Sequence, residues 1–424
     1  MPLLGSSSGP NEASEEPKEN EADKKKKKTG FRDQKVIEYE NRIKLYSTPD
    51  KIFRYYATLQ VGKEKEVYMT PADFVRSIIP DSKQPEGLGL DKFKMFDPEK
   101  TDYMVWHTTD SCVDELEIGE DSFFHKLGQQ GLISFSDYVF LLTVLSTPAK
   151  NFEFAFKVFD INGDGVVEHH EFEQVASVIR ASGSVGKRHR DHKTTGNVIK
   201  KGSGGVSSAL ATYFFGPNLD QKLSIGDFLK FQQELHRGVL ELECKKQCKE
   251  GDSMSEKQFS KLLLMYLQQS QGRKKEMLNR INKLYGRKNS QDQQDNPVVT
   301  ERIPLEDVYA FWDVLTRLNE VEHAITFWTL SGAPIDKDTF KHVTRIVGKR
   351  ELNEHLVEVL FQLFDDNGDG MLTHQEFFDV MKRRVWRNLR RRRDMGLHRL
   401  LSACGTCLKT TDFLTPLKKT IGWN

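Results

Sequence analysis

Two twelve-residue stretches constrain this chain more than anything else in it: DINGDGVVEHHE from Asp160 and DDNGDGMLTHQE from Asp365. Each places oxygen-bearing side chains at its first, third and fifth positions, glycine at the sixth and glutamate at the twelfth. Alternate oxygens followed by a sharp bend wrap a hard cation, and the closing carboxylate gives two more oxygens. Such a loop works only between two helices whose ends it joins. A chain that carries two of them is therefore committed to helix–loop–helix units.

The pattern D-x-[DN]-x-[DN]-G-x5-E is that of an EF-hand. In the first loop Asp160, Asn162 and Asp164 supply side-chain oxygens, Val166 a backbone carbonyl, Glu168 an oxygen directly or through water, and Glu171 the closing carboxylate. In the second the same roles fall to Asp365, Asn367, Asp369, Met371, Thr373 and Glu376, with Gly165 and Gly370 at the bends. A solvated acidic turn is the bland alternative, and the flanking helical periodicity argues against it. Flexible all-oxygen cages favour Ca2+ over Mg2+ and transition metals. Four carboxylates in one loop and three in the other predict comparable, sensor-like affinities, on the order of 10⁻⁷–10⁻⁵ M.

A shorter motif recurs: an apolar residue, three more, an acid, then an apolar residue. It occurs at Val167/Glu171/Phe172 and Leu372/Glu376/Phe377, and again at Met69/Asp73/Phe74, Ile133/Asp137/Tyr138, Leu223/Asp227/Phe228 and Ile303/Asp307/Val308. Versions without the acid fall at Met254/Gln258/Phe259 and Ile335/Thr339/Phe340. In an EF-hand the apolar residue pairs with a sister loop and the last one opens the exiting helix. The beat predicts degenerate hands around two working ones. Phe152, Phe156 and Phe159 before the first loop, and Leu356, Leu360 and Leu363 before the second, repeat on one helical face. The predicted fold is all-α and multi-domain, with only short loop-to-loop β pairs. The working loops are too far apart to pair directly. The expected partner of the first spans 216–227, where Gly216 takes the first ligand position and Gln221 the place of the bend glycine. That of the second ends at Thr339 or, less favourably, Asp307.

Breaks in periodicity divide the chain. Residues 1–28 combine an acidic stretch with Lys24, Lys25, Lys26, Lys27 and Lys28, a composition of disorder. An N-terminal domain is expected at 29–108, a first lobe at 109–250, a second at 251–385, and a basic C-terminal helix and tail at 386–424. The start reads as neither a signal nor a transit peptide. Sixty-three basic residues against 62 acidic ones leave a near-neutral chain. No apolar run approaches the roughly 20 residues of a membrane span.

No constellation suggests catalysis, so the chain reads as a non-enzyme. The His169–His170 pair lacks the second histidine of a zinc-protease helix, and Glu171 is committed to the loop. Cys404 and Cys407 stand at metal or redox spacing without a second pair. They read as an ordinary thiol pair or as the source of an intermolecular disulfide. The five-lysine run is open between a solvated tail and a grip on an acidic surface. KRRVWRNLRRRR, Lys382 to Arg393, has eight basic residues and a stripe of Val385, Trp386 and Leu389. That suits an anionic membrane surface, an acidic partner or a calmodulin-type groove. No nucleic-acid recognition module is present.

Three segments, KKKKKTGFRDQKVIEYENRIKLYSTPDKIFRYYATLQ, GLISFSDYVFLLTVLSTPAKNFEFAFKVFDINGDGVVE and DMGLHRLL, closely resemble the mitochondrial calcium uptake proteins, the gatekeepers of the mitochondrial calcium uniporter. The similarity runs in order through about residues 24–400, and the lysine run favours one member of the family over its paralogues. The resemblance implies a Ca2+-sensing subunit in the intermembrane space, peripheral on the inner membrane. It would block the uniporter at low Ca2+ and release it when both loops fill. It implies as partners the pore subunit, a small single-pass essential regulator, and a paralogue or second copy in a dimer. It assigns Lys44, Lys51 and Arg54 to an outward basic face over the acidic pore mouth, Lys24–Lys28 to the small regulator, and Cys407 to the dimer disulfide. Cys404 departs from the pattern and leaves that pairing open. The rival reading is a regulatory EF-hand scaffold of a protein phosphatase.

Overall fold

A computed structural model describes residues 30–61, 66–85, 88, 92–96, 121–129, 132–153, 160, 163–173, 209–248, 251–267, 271–286, 302–330, 335–387 and 389. Lys24–Lys28, Asn162, Cys404, Cys407 and the side chain of Glu376 lie outside what it describes.

The eight beats resolve into four pairs. Met69 and Ile133 exchange two backbone hydrogen bonds of 2.9 Å. Val167 pairs antiparallel with Leu223 and Met254 with Ile303. The Leu372 amide donates to the Ile335 carbonyl at 3.2 Å. Each working loop thus sits against the degenerate partner expected of it. The first pair also crosses the boundary placed near residue 108: the hand around Met69 is completed by the one around Ile133. Besides these contacts the described residues hold one small sheet, Glu66–Tyr68 antiparallel to Leu59–Val61, which in turn runs parallel to Lys94–Phe96.

The degenerate loops keep the beat because its residues also start a helix. Thr70 and Asp73, Ser134 and Asp137, and Ser255 and Gln258 each form a full capping box. The hydroxyl takes the amide three residues on, and the longer side chain returns to the cap amide. Such a cap is worth about 1 kcal/mol. The carboxylate that would close on a cation closes on the chain instead.

One helix, Ile225–Gln247, joins the two halves. Ser224 caps its start by accepting from the Asp227 amide, and Lys245 and Lys246 in its last turn suit the carbonyl end. At 1.5 Å per residue its 23 residues reach roughly 34 Å. Phe228, Phe231, Leu235, Val239 and Leu242 enter the first core, which extends from Ile52 to Leu242. Leu240 and Cys244, on another face, enter the second, which extends to Val385. The first core is aromatic: Phe140, Phe172, Phe214, Phe228 and Phe231 meet at ring separations of 4.6–6.5 Å. Each of these that is fully buried contributes roughly 1.5–3 kcal/mol of transfer free energy, and the half-buried Phe172 less.

Candidate functional site

The first loop is built around Asp160. Its Oδ1 accepts from the amides of Gly163 (2.7 Å) and Asp164 (3.0 Å), and its Oδ2 from Gly165 (2.8 Å). Gly163 and Gly165 have φ of +77° and +82°. These left-handed turns let the chain fold back over a carboxylate, at little steric cost to glycine. Glu171 is buried, and its Oε2 accepts from the Glu168 amide at 2.9 Å. The closing carboxylate is thereby held at the start of the exiting helical segment, His169–Glu173. Val166 lies in the strand pair with the sister loop, so that pairing positions its carbonyl.

The second loop repeats the construction. Asp365 accepts from Gly368 (2.6 Å) and Gly370 (2.8 Å), and both glycines have φ of +75°. The Asn367 amide group donates to Asp369 at 2.8 Å, and Asp369 Oδ1 accepts from the Met371 amide at 2.8 Å. Met371 and Thr373 are exposed, and Glu376 lies in the exiting helix His374–Val385. A carboxylate cradled by two or three loop amides, a left-handed glycine and further oxygens at alternate positions is a donor set that fits Ca2+. Among the described residues no three acidic, histidine or cysteine side chains converge on one point. The loop carboxylates are turned to amides and to neighbouring cations instead.

The basic residues divide. Lys51 is exposed on helix Pro49–Tyr56, with half-buried Arg54 one turn later, while Ile52, Phe53 and Tyr56 face the core. Lys44 differs from them: it is half-buried and its ammonium is engaged by backbone carbonyls. Its ammonium donates to the carbonyls of Ile79 (2.8 Å) and Ser82 (2.9 Å) and lies 5.0 Å from the centre of the Tyr56 ring. Burial, then the like charge of Lys246, pulls its pKa down to about 7. It lines a cavity of about 980 Å3 with Asn41, Lys274 and Arg387, which Lys51 also borders.

Two arginines of the C-terminal basic segment turn inward, while residues 388 and 390–393 lie outside the described residues. The exiting helix of the second loop ends at Val385. Arg384 and Arg387 are 1% and 3% exposed. Both bind Glu243 of the long helix, itself fully buried, Arg387 through Nε at 2.9 Å. Arg384 also donates to the Leu262 carbonyl at 2.9 Å and lies 4.6 Å from the Trp312 ring centre. Burial acts to raise the Glu243 carboxyl, but the two guanidiniums outweigh it and hold it below its ordinary range. Val385 and Trp386 pack on the second core and Leu389 on the first. Val385 and these two arginines face inward, and Trp386 and Leu389 are half-buried against the cores. Sequence reasoning missed this internal ion pair because a lone glutamate in mid-helix carries no sign of its partner.

Known proteins bear on these loops. An EF-hand family model matches residues 153–176, and a model of an EF-hand domain pair matches 331–384. Calcium uptake protein 1, mitochondrial, of Danio rerio is 48% identical over 91% of this chain and 77% of its own length. Its counterpart in Homo sapiens is 47% identical over 93% and 79%. Among solved structures, the apo form of the mitochondrial calcium uniporter protein MICU2 has a TM-score of 0.57 at 26% identity, covering 80% of this chain and 88% of that one. EFHA2 in a Ca-binding state has a TM-score of 0.61 at 23% identity, over 80% and 99%. The latter supports the fold alone.

Proposed function

The chain belongs to the family of calcium uptake protein 1 of mitochondria, and from that premise we propose that it is a Ca2+-sensing regulator of the mitochondrial calcium uniporter. It blocks the pore at low Ca2+ and releases it when both loops are occupied. The observation that carries this reading is that both loops keep every side-chain ligand position in a chain alike to those relatives over nine-tenths of its length. Nothing in the relatives named above supports a phosphatase scaffold, and they carry calcium-uptake names rather than those of enzymes.

Bound Ca2+ supplies the positive charge on which the loop oxygens close. The chain supplies the transmission. Glu171 and Glu376 open the exiting helices, so a change in their partners is felt by those helices. The second of these carries Arg384, which grips the long helix through Glu243. The blocking face is assigned to Lys51 and Arg54, with Lys24–Lys28 engaging an acidic segment of the small single-pass regulator. The site of action is the intermembrane space, on the outer surface of the inner membrane. Among the described residues no helix is long and apolar enough to cross a membrane.

Dimerisation with a paralogue or a second copy is assigned to Cys407. The buried Cys244 and Cys248 cannot serve, and burial pushes the Cys244 thiol up to about 12.

Uniporter-containing vesicles test the reading. Adding the protein should suppress uptake at low Ca2+ and leave it unimpaired at high Ca2+. Equal uptake with and without it at low Ca2+ would refute a gatekeeping role. The double change Lys51→Glu and Arg54→Glu should restore most of the suppressed uptake while Ca2+ binding is unchanged. Persisting block would show that these two residues do not face the pore.

A further inference from the structure

The two loops differ in the cations that face them. In the first, the Lys222 ammonium lies 3.1 Å from Asp164 Oδ2 and 2.8 Å from Glu168 Oε1. These are the oxygens of loop positions five and nine. The other Glu168 oxygen faces His170 Nδ1 at 3.3 Å. Lys222 belongs to the degenerate sister loop. Leu223 pairs with Val167, so the same antiparallel register sets Lys222 opposite Glu168. Backbone pairing thus delivers the cation to the ligands.

The second loop is braced differently. Arg273 and Arg280 both bind the Asp366 carboxylate, and Arg280 donates to the carbonyls of Asp365 and Leu363. Asp366 is the second position, whose side chain leaves the cage. In the sequence the residue before the pairing Ile335, as Lys222 comes before Leu223, is Pro334. It brings no charge.

We propose that Lys222 is a tethered counter-cation of the first loop: its ammonium competes with Ca2+ for Asp164 and Glu168 and makes that loop the less sensitive of the two. This rests on reading the loop as a Ca2+ site. A carboxylate already paired with an ammonium has to give up that partner before it turns to a metal. Lys222 is also three residues before Ile225, where the long helix begins. Loss of its two partners is therefore felt at the root of the element that reaches the second lobe. The Lys222 side chain is 51% exposed and those of its partners 34–35%, so solvent screens the contact and its effect is moderate. Removing it should tighten the first loop on the order of threefold to tenfold.

The full-length chain carrying Glu376→Gln, which silences the second loop, allows the first to be titrated alone with Ca2+ by calorimetry. In that background Lys222→Met and Lys222→Gln should bind threefold to tenfold tighter, and Lys222→Arg should match the parent. The gain should shrink as KCl is raised, because screening weakens the competition. Unaltered circular dichroism verifies that the variants fold. Equal or weaker binding by both neutral variants, or a gain indifferent to salt, would overturn the proposal. No Ca2+ binding in the parent would overturn the loop assignment itself, and the proposal with it.

Discussion

Arg384→Ala is expected to destabilise the protein by about 3–5 kcal/mol, the loss typical of leaving one partner of a buried ion pair without the other. Glu243 has no solvent access, and Arg384 is its partner from the second loop's exiting helix. Truncation also vacates the face of Trp312 and the bond to the Leu262 carbonyl. Arg387 remains, but one guanidinium then has to neutralise a carboxylate that two had shared. Chemical denaturation followed by circular dichroism measures the loss. Glu243→Ala should cost a similar amount, and the double variant far less than the sum. Additive losses would show that the two side chains do not act as a unit. The same cluster predicts a pH effect. Burial, then the Arg387 charge, lowers the pKa of His236 from 6.5 to about 3. A depressed pKa means the folded state holds this group neutral. Its stabilisation is complete above pH 6.5 and is lost as pH falls toward 3. Thermal unfolding should therefore move to lower temperature through that window, and less so in His236→Phe.

Glu171→Lys is the change with the largest expected effect on regulation: uptake should remain blocked at Ca2+ levels that open the wild-type system. The substitution replaces a buried closing carboxylate with an ammonium in a loop that has to gather positive charge. Turning a population from 1:99 to 99:1 requires about 5.5 kcal/mol of differential binding. Two loops that each favour the released state by roughly 3 kcal/mol reach that figure, and one does not. Glu376→Lys should act alike from the other lobe. Uptake measured across a Ca2+ series in uniporter vesicles reads the result. Opening of either single variant at the wild-type midpoint would rule out a two-loop switch.

The sequence made the loops and their pairing legible, for a reason that the structure supplies. Position nine of an EF-hand is a helix cap and position twelve lies three residues inside the helix. Thr70 and Asp73, or Ser134 and Asp137, keep that chemistry after the metal ligands are gone. The beat survives because helix starting and metal closure ask for the same residues. Local patterns of this kind are visible in one dimension. Lys44 and the C-terminal arginines were not, since whether a cation faces out or in depends on a distant element. Lys44 turns inward because the carbonyls of Ile79 and Ser82 are there to receive it. Arg384 turns inward because Glu243 comes from 141 residues away. Basic composition gave both the same outward reading. The Met69–Ile133 bridge likewise joins residues from either side of the boundary expected near 108, a pairing that no local pattern announces.

The helix Ile225–Gln247 presents one face to each core along a continuous shaft, and this makes rotational phase a property of its length. Adding one residue between Leu235 and Val239 would turn everything beyond it by about 100° and advance it by about 1.5 Å. Glu243 would swing away from Arg384, and Leu240 and Cys244 from the second core. Adding seven would nearly restore the angle, at close to two full turns, while separating the halves by roughly 10 Å. Surface loops of this protein can therefore drift in length, but the shaft is keyed like a gear. Its residue count is fixed by geometry even where its individual side chains are free to vary.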